Sequence, residues 1–221
     1  MSEQDNYMKS IELYGDGIGR VDYVNHMGTD LTVVNSARVS FGVEKEELDA
    51  RDKKLINYLI KHRHTSTLEH CTITFRIKVP LYIRSQHHRH RTWSYNEISR
   101  RYVDSDPEFY QVDSWRGRAE NKKQGSSDEA IEYNLGSTLE FVKTTYQNML
   151  KAGIAPEMAR MVLPQNLYTE WFWSGTLMAF ARVCNLRCKS DTQWETQLVA
   201  GMIDIQAKEK FPASWKALRD D

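Results

Sequence analysis

Residues 71–91, CTITFRIKVPLYIRSQHHRHR, change their hydrophobic period at a single position. Up to Val79 the apolar side chains alternate. Ile73, Phe75, Ile77 and Val79 face one way and Thr72, Thr74, Arg76 and Lys78 the other, which predicts a half-buried strand. Pro80 stops the alternation. A first helical residue needs no amide hydrogen, so the same proline suits the start of a helix over 81–90. The strand therefore leads directly into a run of histidines and arginines.

Upstream, the stretch IELYGDGIGRVDYV (11–24) holds two short apolar runs separated by glycines and reads as strand, turn, strand. Its G-x-G-x-G falls short of a dinucleotide cradle, because Arg20 stands where the last glycine belongs and no helix pattern follows. Thr29 or Asp30 can cap a short helix through LTVVNSARVS, and a longer helix is expected over 44–61 with Leu48, Leu55, Ile56, Leu59 and Ile60 on one face.

Downstream, residues 112–128 are polar and almost without aliphatic side chains, which predicts a long surface loop. Ile131, Leu135, Leu139, Val142, Tyr146 and Met149 then recur at helical spacing up to Gly153. Pro156 opens another short helix that Pro164 ends. LYTEWFW (167–173) is aromatic and β-compatible, and helices are expected over 176–187 and 192–210. Strands gather in the first half and helices in the second, so the fold class is α+β, in one domain over 1–221.

The totals narrow the function. Lys+Arg and Asp+Glu balance at 30 each, which argues against a surface built to coat nucleic acid or membrane. Three cysteines, Cys71, Cys184 and Cys188, make no disulfide framework and read as reduced thiols. The polar opening MSEQDNYMKS has no secretory core and no stretch approaches a membrane span, so the cytoplasm is the expected location.

Against this neutral background, five arginines and three histidines lie between Arg84 and Arg101, answered there only by Glu97. Any one arginine is most simply a solvent ion pair. Together, and interleaved with Ser94, Asn96, Glu97 and Ser99, they suit a small phosphorylated anion held by guanidinium forks. The alternative is a nucleotide or single-stranded nucleic-acid binding module over 84–101, with Trp93, Tyr95 and Tyr102 stacking on bases. A metal is not expected, since the H-x-H pairs His62/His64 and His88/His90 lack a cysteine or carboxylate at zinc spacing and neighbouring arginines repel a cation. No nucleophile motif is present, which leaves any chemistry to a cofactor.

The run then matches a longer pattern. Arg89, His90 and Arg91, seven residues and Ser99 form R-H-R-x7-S, extended by Ser94, Asn96, Glu97, Arg101 and Tyr102. In these residues, and in ARVSF (37–41), KHRHTSTLEH (61–70), ARMVLPQNLYTEWFW (159–173) and NLRCKSDTQWE (185–195), the chain resembles the flavin-dependent thymidylate synthases. The resemblance implies a central, mostly antiparallel sheet flanked by helices, in a homotetramer whose sites draw on several subunits. It implies methylation of dUMP to dTMP with methylenetetrahydrofolate as carbon donor and NADPH as reductant through FAD, and no partnership with nucleic acid or membrane.

The same resemblance implies that Arg187 is catalytic, stabilising the pyrimidine ionised at ring nitrogen 3 without any enzyme nucleophile. Gln86, Arg89, Glu97, Ser99, Arg101, Arg160 and Arg187 would hold dUMP. Ser40, His64, Ser66, Glu69, Arg89, His90, Arg91 and Glu97 would lie along FAD. Two departures stand out. Thr176, Leu177 and Met178 replace an Asn-x-Arg that contacts FAD in many members, and Arg182 stands where Asn or His often faces the flavin. Arg182 has two readings, a phosphate or flavin contact and a surface salt bridge. Ser66 replaces the usual Thr and keeps the hydroxyl.

Overall fold

The computed structural model describes residues 10–120 and 125–219. Most of the polar opening stretch and the middle of the 112–128 loop lie outside the described residues. In chain order the first half holds strands β1 (Ser10–Glu12) and β2 (Arg20–Met27), helices α1 (Asp30–Arg38) and α2 (Ala50–Lys61), strand β3 (Thr72–Pro80), helix α3 (Leu81–His87) and strand β4 (Ser94–Glu97). The short strands β5 (Trp115–Arg116) and β6 (Ala130–Ile131) follow, then helices α4 (Gly136–Lys151) and α5 (Pro156–Ala159), strand β7 (Tyr168–Thr176), and helices α6 (Leu177–Arg187), α7 (Trp194–Lys210) and α8 (Pro212–Arg219). Among the described residues no helix is long and apolar enough to cross a membrane.

Five strands form one antiparallel sheet in the order β1-β2-β3-β7-β4, and β5 pairs with β6 separately. The alternation over 71–80 is realised: Ile73, Phe75, Ile77 and Val79 are fully buried. Pro80 lies at the strand end with ψ of 150° and precedes α3 directly, as its fixed φ and missing amide hydrogen favour. On β7 the aromatic alternation puts Trp171 and Trp173 into the core and leaves Phe172 exposed. Phe75, Trp173 and Phe180 meet there with helices α6 and α7, burying large rings that contribute about 2 kcal/mol or more each.

Several elements differ from the sequence reading, among them α3, which ends at His87 rather than His90. α2 begins at Ala50 rather than near 44, because Asp49 forms a capping box with Asp52 and accepts from the Arg51 and Asp52 amides at 2.7 and 2.9 Å. The buried Asp52 carboxylate also takes Arg38 at 2.6 Å and Lys45, which hold its pKa well below the usual carboxylate range. α4 starts at Gly136, and Ala130–Ile131 are instead drawn into pairing with Trp115–Arg116, closing the base of the long loop. Beyond 210 a further helix, α8, is anchored by the buried Asp30, whose carboxylate accepts from the amides of Ala213 and Ser214 at 2.7 and 2.8 Å.

Gly175, two residues after Trp173 on β7, has no room for a side chain, since an added Cβ would overlap the ring of Trp93. That absence lets Trp93 lie against the strand, 4.6 Å from Trp173 and 4.4 Å from Phe180 between ring centroids. Gly175→Ala should cost about 1–3 kcal/mol of stability by overpacking. A urea melt followed by tryptophan emission reads this, and an unchanged midpoint would show that Trp93 has other places to go.

Candidate active site

α3 and α6, about a hundred residues apart in sequence, are joined by hydrogen bonds from Arg187 to Gln86 and His90. After α3 the chain turns through residues 88–93 into β4. Thr92 in that turn has φ of 77°, in the left-handed region where a β-branched side chain is strained. Thr176 caps α6, accepting from the Ala179 amide at 3.3 Å, and the last turn of α6 carries Arg187 back to α3.

Arg187 donates from Nε to Nε2 of His90 at 3.2 Å and from Nη2 to the Gln86 carbonyl at 3.3 Å. Since Nε2 of His90 accepts, the imidazole is neutral with its proton on Nδ1. Burial, then the charges of Arg187 and Arg182, pushes the His90 pKa down to about 4. Arg187 is half-buried, which weakens its hold on its proton without bringing it near neutral pH.

Beside this pair lies a cleft of about 380 Å³, lined by Arg89, His90, Arg91, Thr92, Trp93 and Arg182. Among the described residues no acidic side chain lines it. Arg89, Arg91 and Arg182 are exposed, and their guanidinium groups form neither an ion pair nor a hydrogen bond among the described residues. Three uncommitted guanidiniums, a neutral imidazole and an indole suit a ligand that joins phosphate groups to a planar ring. No group of three histidine, cysteine or acidic side chains converges as a metal site among the described residues.

The other expected residues lie elsewhere on the chain. Ser99 accepts from the amide and Nε of Arg101, both at 3.3 Å, and Arg101 lies over the Tyr102 ring at 4.9 Å. Arg160 donates to the Glu157 carbonyl at 3.2 Å, and none of these three bonds to Arg187, His90 or Gln86. Glu97 is committed within the chain, accepting from Thr169 at 2.7 Å and from Arg84. The remaining group borders α6, which packs on the turn Thr65–Leu68. There His64 stacks with Tyr58, and Ser66 and Glu69 are exposed. The Ser40 hydroxyl donates to the Ala37 carbonyl at 3.1 Å.

Several residues in contact with this site gave no sequence signal of their own. The Gln86 amide is turned toward α7, donating to Gln193 at 2.6 Å and accepting from Thr196 at 3.0 Å. Gln193 donates to the buried Glu195 at 3.0 Å, and Glu195 takes Arg116 of the long loop at 2.6 Å. This chain ties the loop to the residue whose carbonyl holds Arg187. A cavity of about 500 Å³ opens beyond Glu195, lined by Tyr82, Tyr110, Trp115, Arg116, Gln165 and Gln193. Glu195 lies inside the NLRCKSDTQWE block, yet a glutamate in the first turn of a helix normally faces solvent, so its burial could not be read.

The family described as thymidylate synthase complementing protein matches residues 22–213. The chain is 39% identical over 206 residues to the flavin-dependent thymidylate synthase of Thermus thermophilus, covering 91% of this chain and 76% of that one. It is 37% identical over 199 residues to that of Thermotoga neapolitana, with 90% of each covered. Among solved structures, the UMP/dUMP methylase PolB from Streptomyces cacaoi, bound with 5-Br dUMP, matches with a TM-score of 0.80 and 31% identity over 95% of this chain and 97% of that one. The chain belongs to the flavin-dependent thymidylate synthase family.

The histidines beside the cleft make stability depend on pH. His87 is fully buried with neither ring nitrogen bonded, and burial pushes its pKa down to about 3; His88 falls to about 4 for the same reason, with Arg84 adding to it. The unfolded chain protonates these rings near 6.5 and the folded one does not, so stability is full above that pH and falls as pH drops from about 6.5 toward 4. His87→Phe, which keeps an edge-on ring against Trp173, should flatten that fall in urea midpoints between pH 7 and 5. An equally steep fall would assign the acid sensitivity to other groups.

Proposed function

We propose that the chain methylates carbon 5 of dUMP to give dTMP, with methylenetetrahydrofolate as carbon donor and NADPH as reductant through bound FAD. The observation that carries this reading is the cleft in which three unpartnered arginines surround a His90 held neutral against Arg187. Its donors fit FAD. Guanidinium forks of Arg89, Arg91 and Arg182 would meet the diphosphate, and His90 and Trp93 would face planar rings. FAD is larger than the cleft, and Ser40, His64, Ser66 and Glu69 beside α6 would extend its seat. When bound, the flavin supplies hydride and carries the one-carbon unit.

The protein's own part is placement and charge. Arg187 keeps its proton at any working pH, so it can sit against a pyrimidine and stabilise the anion formed when ring nitrogen 3 ionises. Its two bonds, to His90 and to the Gln86 carbonyl, fix the guanidinium before substrate arrives, which lowers the cost of orientation. The chain Gln193, Gln86, Thr196 would hold that carbonyl in place. Glu97, already accepting from Thr169 on one oxygen and Arg84 on the other, would contact dUMP or FAD through its remaining lone pairs. No thiol nucleophile is called on: burial raises the pKa of Cys71 to about 11 and that of Cys184 above its ordinary value, and Cys188, whose pKa the contact with Cys184 lowers, is not among the residues lining the cleft.

Ser99, Arg101 and Arg160 would complete the phosphate site of a neighbouring copy in a homotetramer. Phe41, Tyr102 and Met161, which stand beside Ser40, Arg101 and Arg160, are 82%, 76% and 73% exposed. Packing of copies would cover that apolar surface. Soluble, cytoplasmic operation on a mononucleotide accords with the balanced charge.

Arg187→Ala should lower dTMP formation from dUMP by roughly 100-fold or more while leaving the protein yellow with FAD. Chromatographic product assay and a visible spectrum read the two effects separately. Undiminished turnover would remove Arg187 from the chemistry, and a colourless variant would make it a cofactor anchor instead.

A further inference from the structure

We infer that Trp93, Trp173 and Trp171 form a one-electron relay from the arginine cleft into the sheet, able to pass an electron to a photoexcited flavin held in that cleft. The inference rests on the reading of the cleft as a flavin site. Trp93 lines the cleft and is half-buried, whereas Trp173 and Trp171 are buried on the inner face of β7. Ring centroids lie 4.6 Å apart from Trp93 to Trp173 and 6.3 Å from Trp173 to Trp171. His88, 5.1 Å from Trp171 and 4.2 Å from Tyr95, continues the ring contacts to a partly exposed tyrosine.

Close packing of aromatic side chains in a core is ordinary, and by itself it shows only stability. Two features go further. The first is direction, because the contact series begins at the wall of the cleft and Gly175 keeps the space that seats Trp93 on the strand. The second is the state of the indole N–H groups. By hydrogen-bond geometry none of those on Trp93, Trp173 and Trp171 meets an acceptor among the described residues, and the hydroxyl of Tyr95, whose ring lies 6.4 Å from that of Trp173, donates instead to the His90 carbonyl at 3.0 Å. An oxidised indole is acidic, and no acceptor is hydrogen-bonded to any of the three to take its proton at once; the neutral rings of His87 and His88, 5.6 Å from Trp173 and 5.1 Å from Trp171, are in ring contact and not in hydrogen-bond contact. With no bonded acceptor in place, the hole can pass between rings before a proton leaves.

In the step itself no bond forms or breaks. Trp93 gives one electron to the excited ring system and becomes a radical cation, which Trp173 and then Trp171 fill in turn by one electron each. In the dark the electron returns and the cycle closes. With a thiol present, the thiol gives one electron to the hole and one proton to solvent, two thiyl radicals join as a disulfide, and the flavin remains reduced.

The test uses full-length protein loaded with FAD and freed of excess by gel filtration. Emission is compared at equal visible absorbance for wild type, Trp93→Phe and Trp173→Phe. Anaerobic bleaching under blue light is then followed with dithiothreitol. The relay predicts weak emission in wild type and several-fold brighter emission with slower bleaching in Trp93→Phe. In Trp173→Phe, emission stays weak while bleaching slows, because the separated charge recombines sooner. Equal emission and bleaching in wild type and both variants would overturn the relay while leaving the flavin site intact. A wild-type protein with no flavin band would instead overturn the cofactor reading, and the relay with it.

Discussion

Strand β7 is hydrogen-bonded on both edges, to β3 along its whole length and to β4 over four residues, and the rest of the molecule depends on that double commitment. Pairing with β3 fixes which side chains of β7 face the core, and so seats Trp171 and Trp173. Pairing with β4 holds the polar segment Ser94–Glu97, which has little reason of its own to be a strand, and with it the end of the arginine-rich turn. At its own C-terminus β7 passes through Thr176 into α6, whose last turn returns Arg187 to His90. One strand therefore positions both halves of the candidate site. It does so with backbone bonds, and these do not depend on the charge of the side chains they present.

The electrostatics follow from where charge is left uncompensated. Over the whole chain positive and negative groups cancel, and outside the cleft arginines are answered: Arg20 on β2 meets Asp22 and Glu170, and Arg84 on α3 meets Glu97. In the cleft Arg89, Arg91 and Arg182 are not answered among the described residues, and His90, which could add to their repulsion, is kept neutral by burial and by the charges of Arg187 and Arg182. Such a site repels cations and gains most from a polyanion that brings its own charge. The strained backbone at Thr92 lies within it, where stored conformational energy is commonly found in binding loops.

Much of this was legible in the sequence, for physical reasons that also mark where legibility stopped. The alternation of Ile73, Phe75, Ile77 and Val79 and the switch at Pro80 are local patterns, and local rules read them correctly. β4 was hidden because its residues are polar and its pairing is supplied by a strand much later in the chain. α8 was hidden because its N-terminal amides are satisfied by Asp30, nearly the full chain length away. At the site, the R-H-R-x7-S spacing brought Arg89, His90, Arg91 and Ser99 to attention together, and Arg187 came from the NLR block. The fold unites Arg187 with His90 and Gln86 and leaves Ser99, Arg101 and Arg160 apart. The clamp on Gln86 by Gln193 and Thr196 depends on how α7 lies against α3, which no spacing along the chain encodes.

The measurement that bears most directly on the account is a visible absorption spectrum of the purified protein, followed anaerobically as NADPH is added with and without dUMP. The account predicts a flavin band that NADPH bleaches, faster when dUMP is present. A colourless protein that takes up no FAD and oxidises no NADPH would contradict it, and would mean that the arginine cleft serves a different anion.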